Sequence, residues 1–176
     1  LIGGAPKVGK SDFLINFLIH MAAGEKFLGF QPPKPLKIFY LQAEIGYHYM
    51  RERIKKLKVS KEIIRKSAKN LITTSNIQMI LNDKGIEAVS RTIKVNFKND
   101  KPDIICIDPI RNLFDGGSDN SSENDNNAML FFLQNRIERL RSLINPEMGI
   151  ILCHHTKKIK KKELEEEKKK EKRVPP

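Results

Sequence analysis

The stretch Gly4-Ala5-Pro6-Lys7-Val8-Gly9-Lys10-Ser11 decides how this chain is read. It satisfies the pattern G-x-x-x-x-G-K-[ST], and its neighbours supply the setting the pattern needs. The apolar pair Leu1-Ile2 precedes it as the end of a strand, and the run Lys10–Ala23 follows as a helix. Glycines let successive backbone N–H groups curl around phosphate oxygens, and the start of a helix adds its partial positive charge. The expected nucleotide-binding residues are therefore Gly4, Ala5, Pro6, Lys7, Val8, Gly9, Lys10, Ser11 and Asp12. Lys10 is expected to reach the β- and γ-phosphates, and the Ser11 hydroxyl to help coordinate Mg²⁺.

Working outward, Phe13, Leu14, Phe17, Leu18 and Met21 fall on one face of the first helix, and Gly24 stops it. Beyond the rigid Gln31–Pro35 connector, strands and helices alternate. Leu36–Leu41 reads as a strand, Tyr47–Lys58 as a basic amphipathic helix, and Lys61–Lys69 as another. Leu71–Thr74 and Ile77–Leu81 read as short strands, Gly85–Phe97 as a helix, and Asp103–Asp108 as an apolar strand ending in an acid. A polar stretch, Asp115–Asn127, reads as a mobile loop; then come a helix over Asn127–Leu143 and a buried strand over Gly149–Cys153. That alternation predicts an α/β fold, a parallel sheet flanked by helices over residues 1–156. Ligands in such sheets collect at the carboxyl ends of the strands.

The 176 residues suffice for one domain, and an apolar share of 39% excludes wholesale disorder. No apolar stretch approaches the roughly 20 residues a bilayer span requires, so no membrane partner is expected. Cys106 and Cys153 each sit within an apolar run, which argues against a disulfide framework and fits a reducing, cytoplasmic setting. A chain opening at Leu1, without an initiator Met, reads as a fragment cut short at its first strand. The net charge of +12 predisposes the protein to polyanions. Ten bases against five acids in Lys157–Arg173 make residues 157–176 a Lys/Glu-rich tail, read as mobile.

Three further positions fall at strand ends. Asp108 closes an apolar strand about 100 residues after the glycine loop, where a carboxylate can orient Mg²⁺. Glu44 follows the Leu36–Leu41 strand, where it could polarise a water for in-line attack. His154 and His155 leave the last strand; adjacent side chains diverge, so a zinc site is disfavoured and a γ-phosphate contact by one of them is the better reading.

In order, GAPKVGKS, YLQAE, IDPIRN and LCHHTKK resemble the RecA-like P-loop ATPases of the AAA_25 group, which includes a hexameric plasmid replicative helicase. The resemblance runs from Leu1 to about Lys158 and implies a RecA-like sheet, here truncated at both ends. It implies Glu44 as catalytic base, Lys10 on the phosphates, Asp108 and Ser11 at the metal, and His154 as γ-phosphate sensor, with His155 and Arg111 as further sensor or supporting residues. It also implies ATP and Mg²⁺, a homo-oligomeric ring with nucleotide at the interfaces, and DNA as partner. In such motors the loops after the Asp and His strands, here Arg111–Asn127 and Lys157–Lys172, touch DNA; the first is acidic after Arg111 and fits poorly. The family's arginine finger lies on a hairpin after the His-His segment. Its place here is taken by the tail, so weak hydrolysis by this chain alone is expected. The leading expectation is a DNA helicase or motor ATPase acting in replication. The alternatives are a regulatory, repair or partition ATPase, and a small-molecule phosphotransferase.

Overall fold

A computed structural model describes residues 1–5, 8–75, 77–98, 100–118 and 121–155. Pro6 and Lys7 of the glycine loop, Asp119 of the polar stretch, Thr156 and the 157–176 tail lie outside the described residues, as does the side chain of His155.

Five strands pair in parallel in the order β1-β5-β4-β2-β3. They are β1 (Ile2–Gly4), β2 (Ile38–Gln42), β3 (Leu71–Thr73), β4 (Ile104–Asp108) and β5 (Gly149–His155). Parallel strands need long crossovers, and helices supply them. Three of these helices, α1 (Lys10–Ala23), α2 (Tyr47–Lys56) and α3 (Lys61–Ser67), cover one face, where Leu14, Leu18 and Met50 pack with Tyr40, Cys106 and Cys153. On the other face α4 (Asp83–Phe97), α6 (Glu138–Ile144) and the segment that follows α5 (Asn126–Phe131) bring Ile86, Ile93, Leu140 and Phe132 onto Phe39, Leu41, Ile105 and Ile107. Both faces of β2 and β4 are thus covered, which is why their sequences run apolar without alternation. The expected α/β parallel sheet flanked by helices is the observed one.

Differences from the sequence reading are local. Ile77–Leu81 is not a strand: Leu81 is fully buried and its N–H donates to the Leu113 carbonyl, so this run serves the core beneath α4. The long last helix is interrupted by a π-helical segment, Phe132–Ile137, between α5 and α6. Both basic helices end earlier than expected, α2 at Lys56 and α3 at Ser67. The polar loop is tied at two points: Asp115 accepts from Arg136 Nε at 2.7 Å, and Asp125 caps α5 by accepting from the Ala128 N–H at 2.8 Å. No described helix is long and apolar enough to cross a membrane.

Candidate nucleotide site

Topology assembles the site. The last strand inserts between β1 and β4, with Gly3 paired to His154 and Gly4 to His155. On the far side of β4, Gln42 pairs with Asp108. One carboxyl edge therefore carries, in spatial order, the glycine loop, the two histidines, Asp108 and the Gln42–Glu44 turn.

The first turn of α1 is built to receive an anion. The first few N–H groups of a helix have no acceptor within it. Here the N-cap is Gly9, which offers no side-chain acceptor, and the first internal bond is Phe13 N–H to the Gly9 carbonyl at 2.9 Å. The amides of Lys10, Ser11 and Asp12 are thus left at the positive end of a fourteen-residue helix. Gly9 holds φ at +89°, a left-handed conformation that glycine adopts without strain. Lys10 Nζ donates to the carbonyls of Gly4 and Ala5, at 2.7 Å each, so it folds back over the loop. An ammonium has three donors, leaving one for a ligand oxygen. Asp12 turns its carboxylate to Arg53 on α2 at 3.4 Å, so only its amide serves the loop.

Asp108 is buried and accepts from the Tyr40 hydroxyl at 2.7 Å. Burial, with the Asp108 carboxylate beside it, pushes the Tyr40 phenol far above its ordinary value. Tyr40 stays a donor, and its bond fixes the carboxylate on the face that α1 covers. A Mg²⁺ ion takes few protein ligands and fills its shell with phosphate oxygens and water. The donor set fits such an ion: the Ser11 hydroxyl opens α1, and Asp108 ends a strand on the α1 face. When bound, the ion would neutralise charge on a triphosphate.

Glu44 is exposed on a turn pinned from every side. Ala43 N–H donates to the Asp108 carbonyl at 3.0 Å, Asn112 Nδ2 to the Ala43 carbonyl at 2.9 Å, and Ile45 N–H to Gln42 Oε1 at 2.9 Å. Thr74 ties down the backbone N–H of Gln42 at 2.9 Å. Glu44 lines an open groove of about 450 Å³ shared with Asn112 and Met79.

His154 carries a buried Nδ1 without a partner among the described residues. Alternation along β5 puts His154 on the face of Leu152, opposite Cys153 and α1. Arg111 is 71% exposed and stands 3.9 Å from Glu123, away from the buried end of β4. Tyr40 and Gln42 lie within YLQAE and Asn112 within IDPIRN, yet sequence reasoning gives none of them a role, and Thr74 belongs to no motif at all. Tyr40 has one sequence signal, a hydroxyl inside an otherwise apolar strand; Asn112 and Thr74 act across 69 and 32 residues, which no local pattern carries.

No curated protein matches the chain. Among solved structures it is similar to an ATPase from the type III secretion system of pathogenic bacteria, at 13% identity and a TM-score of 0.45, over 96% of this chain and 47% of that one. The chain thus spans about half the length of that ATPase. The family model AAA_25, an AAA domain, matches residues 1–160. With residues 1–160 matched, the chain belongs to the AAA_25 family of AAA domains, the P-loop ATPase class.

Proposed function

We propose that this domain binds ATP with Mg²⁺, hydrolyses it to ADP and phosphate, and uses the cycle for work on DNA, most specifically as a replicative helicase acting in a homo-oligomeric ring. The observation that carries the nucleotide reading is the uncapped α1 N-terminus, with Gly9 in a left-handed conformation and Lys10 folded over the loop. Amides of Lys10, Ser11 and Asp12 hold the phosphate tail, and the Lys10 ammonium offsets its charge. Glu44, on its pinned turn, orients a water and accepts its proton as the oxygen attacks the γ-phosphorus in line; the bond to the bridging oxygen breaks and ADP leaves. His154, on the strand between Gly4 and Asp108, is the candidate reporter of the γ-phosphate, with His155 and Arg111 as supporting residues.

The test is calorimetric ATP titration with Mg²⁺, paired with DNA-stimulated phosphate release by the full-length protein. Binding that survives Glu44→Gln and is lost in Lys10→Ala supports the site. Absence of nucleotide binding at any Mg²⁺ concentration overturns it. Stimulation by DNA with strand displacement supports the helicase; stimulation without unwinding favours a regulatory or repair ATPase of the same core.

A further inference from the structure

The chain's positive charge is concentrated outside the nucleotide site. Residues 47–70 hold nine bases and two acids, the tail holds ten and five, and the remainder of the chain holds fourteen of each. The first of these segments is the α2–α3 pair. Arg51, Lys56, Lys58, Lys61, Arg65 and Lys69 form no ion pair with a described carboxylate, and all six are exposed. Among the described residues, ion pairs in this segment occupy Arg53, Lys55 and Lys66.

Two tyrosines stand out on the same element. Tyr47 is 66% and Tyr49 is 77% exposed, on the first turn of α2, directly after the Glu44 turn. Helix spacing pairs Tyr47 with Arg51 on one flank. Tyr49 lines a cleft of about 360 Å³ on the other flank, with Arg53, Lys56 and Asp12. Each flank thus presents an aromatic face beside a cation.

From this we infer that the α2–α3 face binds single-stranded nucleic acid, its bases stacking on Tyr47 and Tyr49 and its phosphates lying against Arg51, Lys56, Lys58 and Lys61. Sequence-tolerant single-strand sites combine these two features, a basic track and aromatic platforms. A duplex offers no free base faces to two tyrosines. A bilayer would need an apolar helix face, whereas Met50, Ile54 and Leu57 of this segment are turned into the core. For its choice of partner the inference rests on the DNA-linked reading above. It moves the contact from the acidic 115–127 loop to an element joined to Glu44, so strand binding would act directly on the turn that carries the candidate base.

The experiment is fluorescence anisotropy of a labelled twenty-nucleotide oligo(dT) with the whole chain over a KCl series. It compares Tyr47→Ala/Tyr49→Ala, Lys58→Ala/Lys61→Ala and the tail variant Lys160→Ala/Lys161→Ala/Lys162→Ala. Tyr47, Tyr49, Lys58 and Lys61 are exposed, and thermal melts verify folding of every variant. The tyrosine pair should weaken binding about tenfold or more at fixed salt, leave the salt slope unchanged, and leave heparin binding unchanged. The lysine pair should reduce the slope of log K against log salt by about 1.4, at about 0.7 for each phosphate that is no longer neutralised. Unchanged oligo(dT) affinity in the tyrosine pair overturns the inference, as does an equal loss of heparin binding, or binding abolished by the tail variant alone. ATP titration of the same proteins separates the two readings. Tyrosine-dependent oligo(dT) binding without ATP binding leaves this interface standing and removes the nucleotide site, and the converse does the opposite.

Discussion

At Glu44 the structure fixes the backbone of an exposed residue, an arrangement suited to a group that must meet water and keep its aim. Glu44→Gln keeps the shape of the side chain and removes the base. Its expected outcome is ATP affinity within about threefold of the parent and a kcat lower by about 10² to 10⁴, measured by calorimetry and phosphate release on one preparation. A kcat within twofold would take Glu44 out of the mechanism. Tyr40 offers a second residue-level test. Its hydroxyl is a donor to a buried carboxylate, and hydrogen bonds to charged groups contribute about 1.5–3 kcal/mol. Tyr40→Phe should lower unfolding stability by about 2 kcal/mol in urea titrations near pH 7.5; an unchanged midpoint would mean that Asp108 does not depend on this donor. What is legible in the sequence at this scale is whatever lies within a short motif: Lys10, Ser11, and the acid ending an apolar strand. The pairings between motifs are not: Tyr40 stands within YLQAE, but it meets Asp108 across 68 residues and only strand register brings them together.

Elements are legible where periodicity and punctuation agree. Gly24, in a left-handed conformation at φ +77°, ends α1 where the sequence places the stop. The Asp103–Asp108 run forms β4 because both its faces are covered. Agreement fails where long-range packing overrides local preference. Ile77–Leu81 has a strand's composition, yet Leu81 is taken by the core and by the Leu113 carbonyl. The π segment at Phe132–Ile137 leaves no mark on a 3.6-residue pattern. The acidic stretch 115–127 has a loop's composition and no evident purpose in sequence, and two of its acids prove structural: Asp115 holds Arg136 and Asp125 caps α5. The cap is directly testable. Asp125→Ala should cost about 1 kcal/mol of stability, and Asp125→Asn only a few tenths, by thermal or urea unfolding. Equal losses for the two variants would mean that the negative charge, rather than the accepting oxygen, is what matters there.

At the scale of the whole molecule, pH exposes what the sheet has buried. Two acids in the α1-facing core have raised values: Tyr40, through burial and then the Asp108 carboxylate, and Cys106, through burial and then its neighbour Cys153. Raised acids in the native state keep their protons while the unfolded chain releases its own at ordinary values, 9.0 for the thiol and 10.0 for the phenol. Above those values the unfolded state binds fewer protons than the native one, so stability must fall as pH rises. The stabilising contribution of each neutral group is whole below its unfolded value. The loss begins near pH 9 with Cys106 and steepens near pH 10 when Tyr40 joins it. Each group contributes a limiting slope of about 1.4 kcal/mol per pH unit. Urea midpoints at pH 7.5, 9.5 and 10.5 should therefore decline with growing slope. A variant isolates the contribution of the buried phenol. In Tyr40→Phe the steepening above pH 10 should vanish while the shallower decline from pH 9 remains. Should parent and variant instead decline in parallel through pH 10.5, the phenol would have to be ionising in the folded protein, and the buried Tyr40–Asp108 pair could not hold.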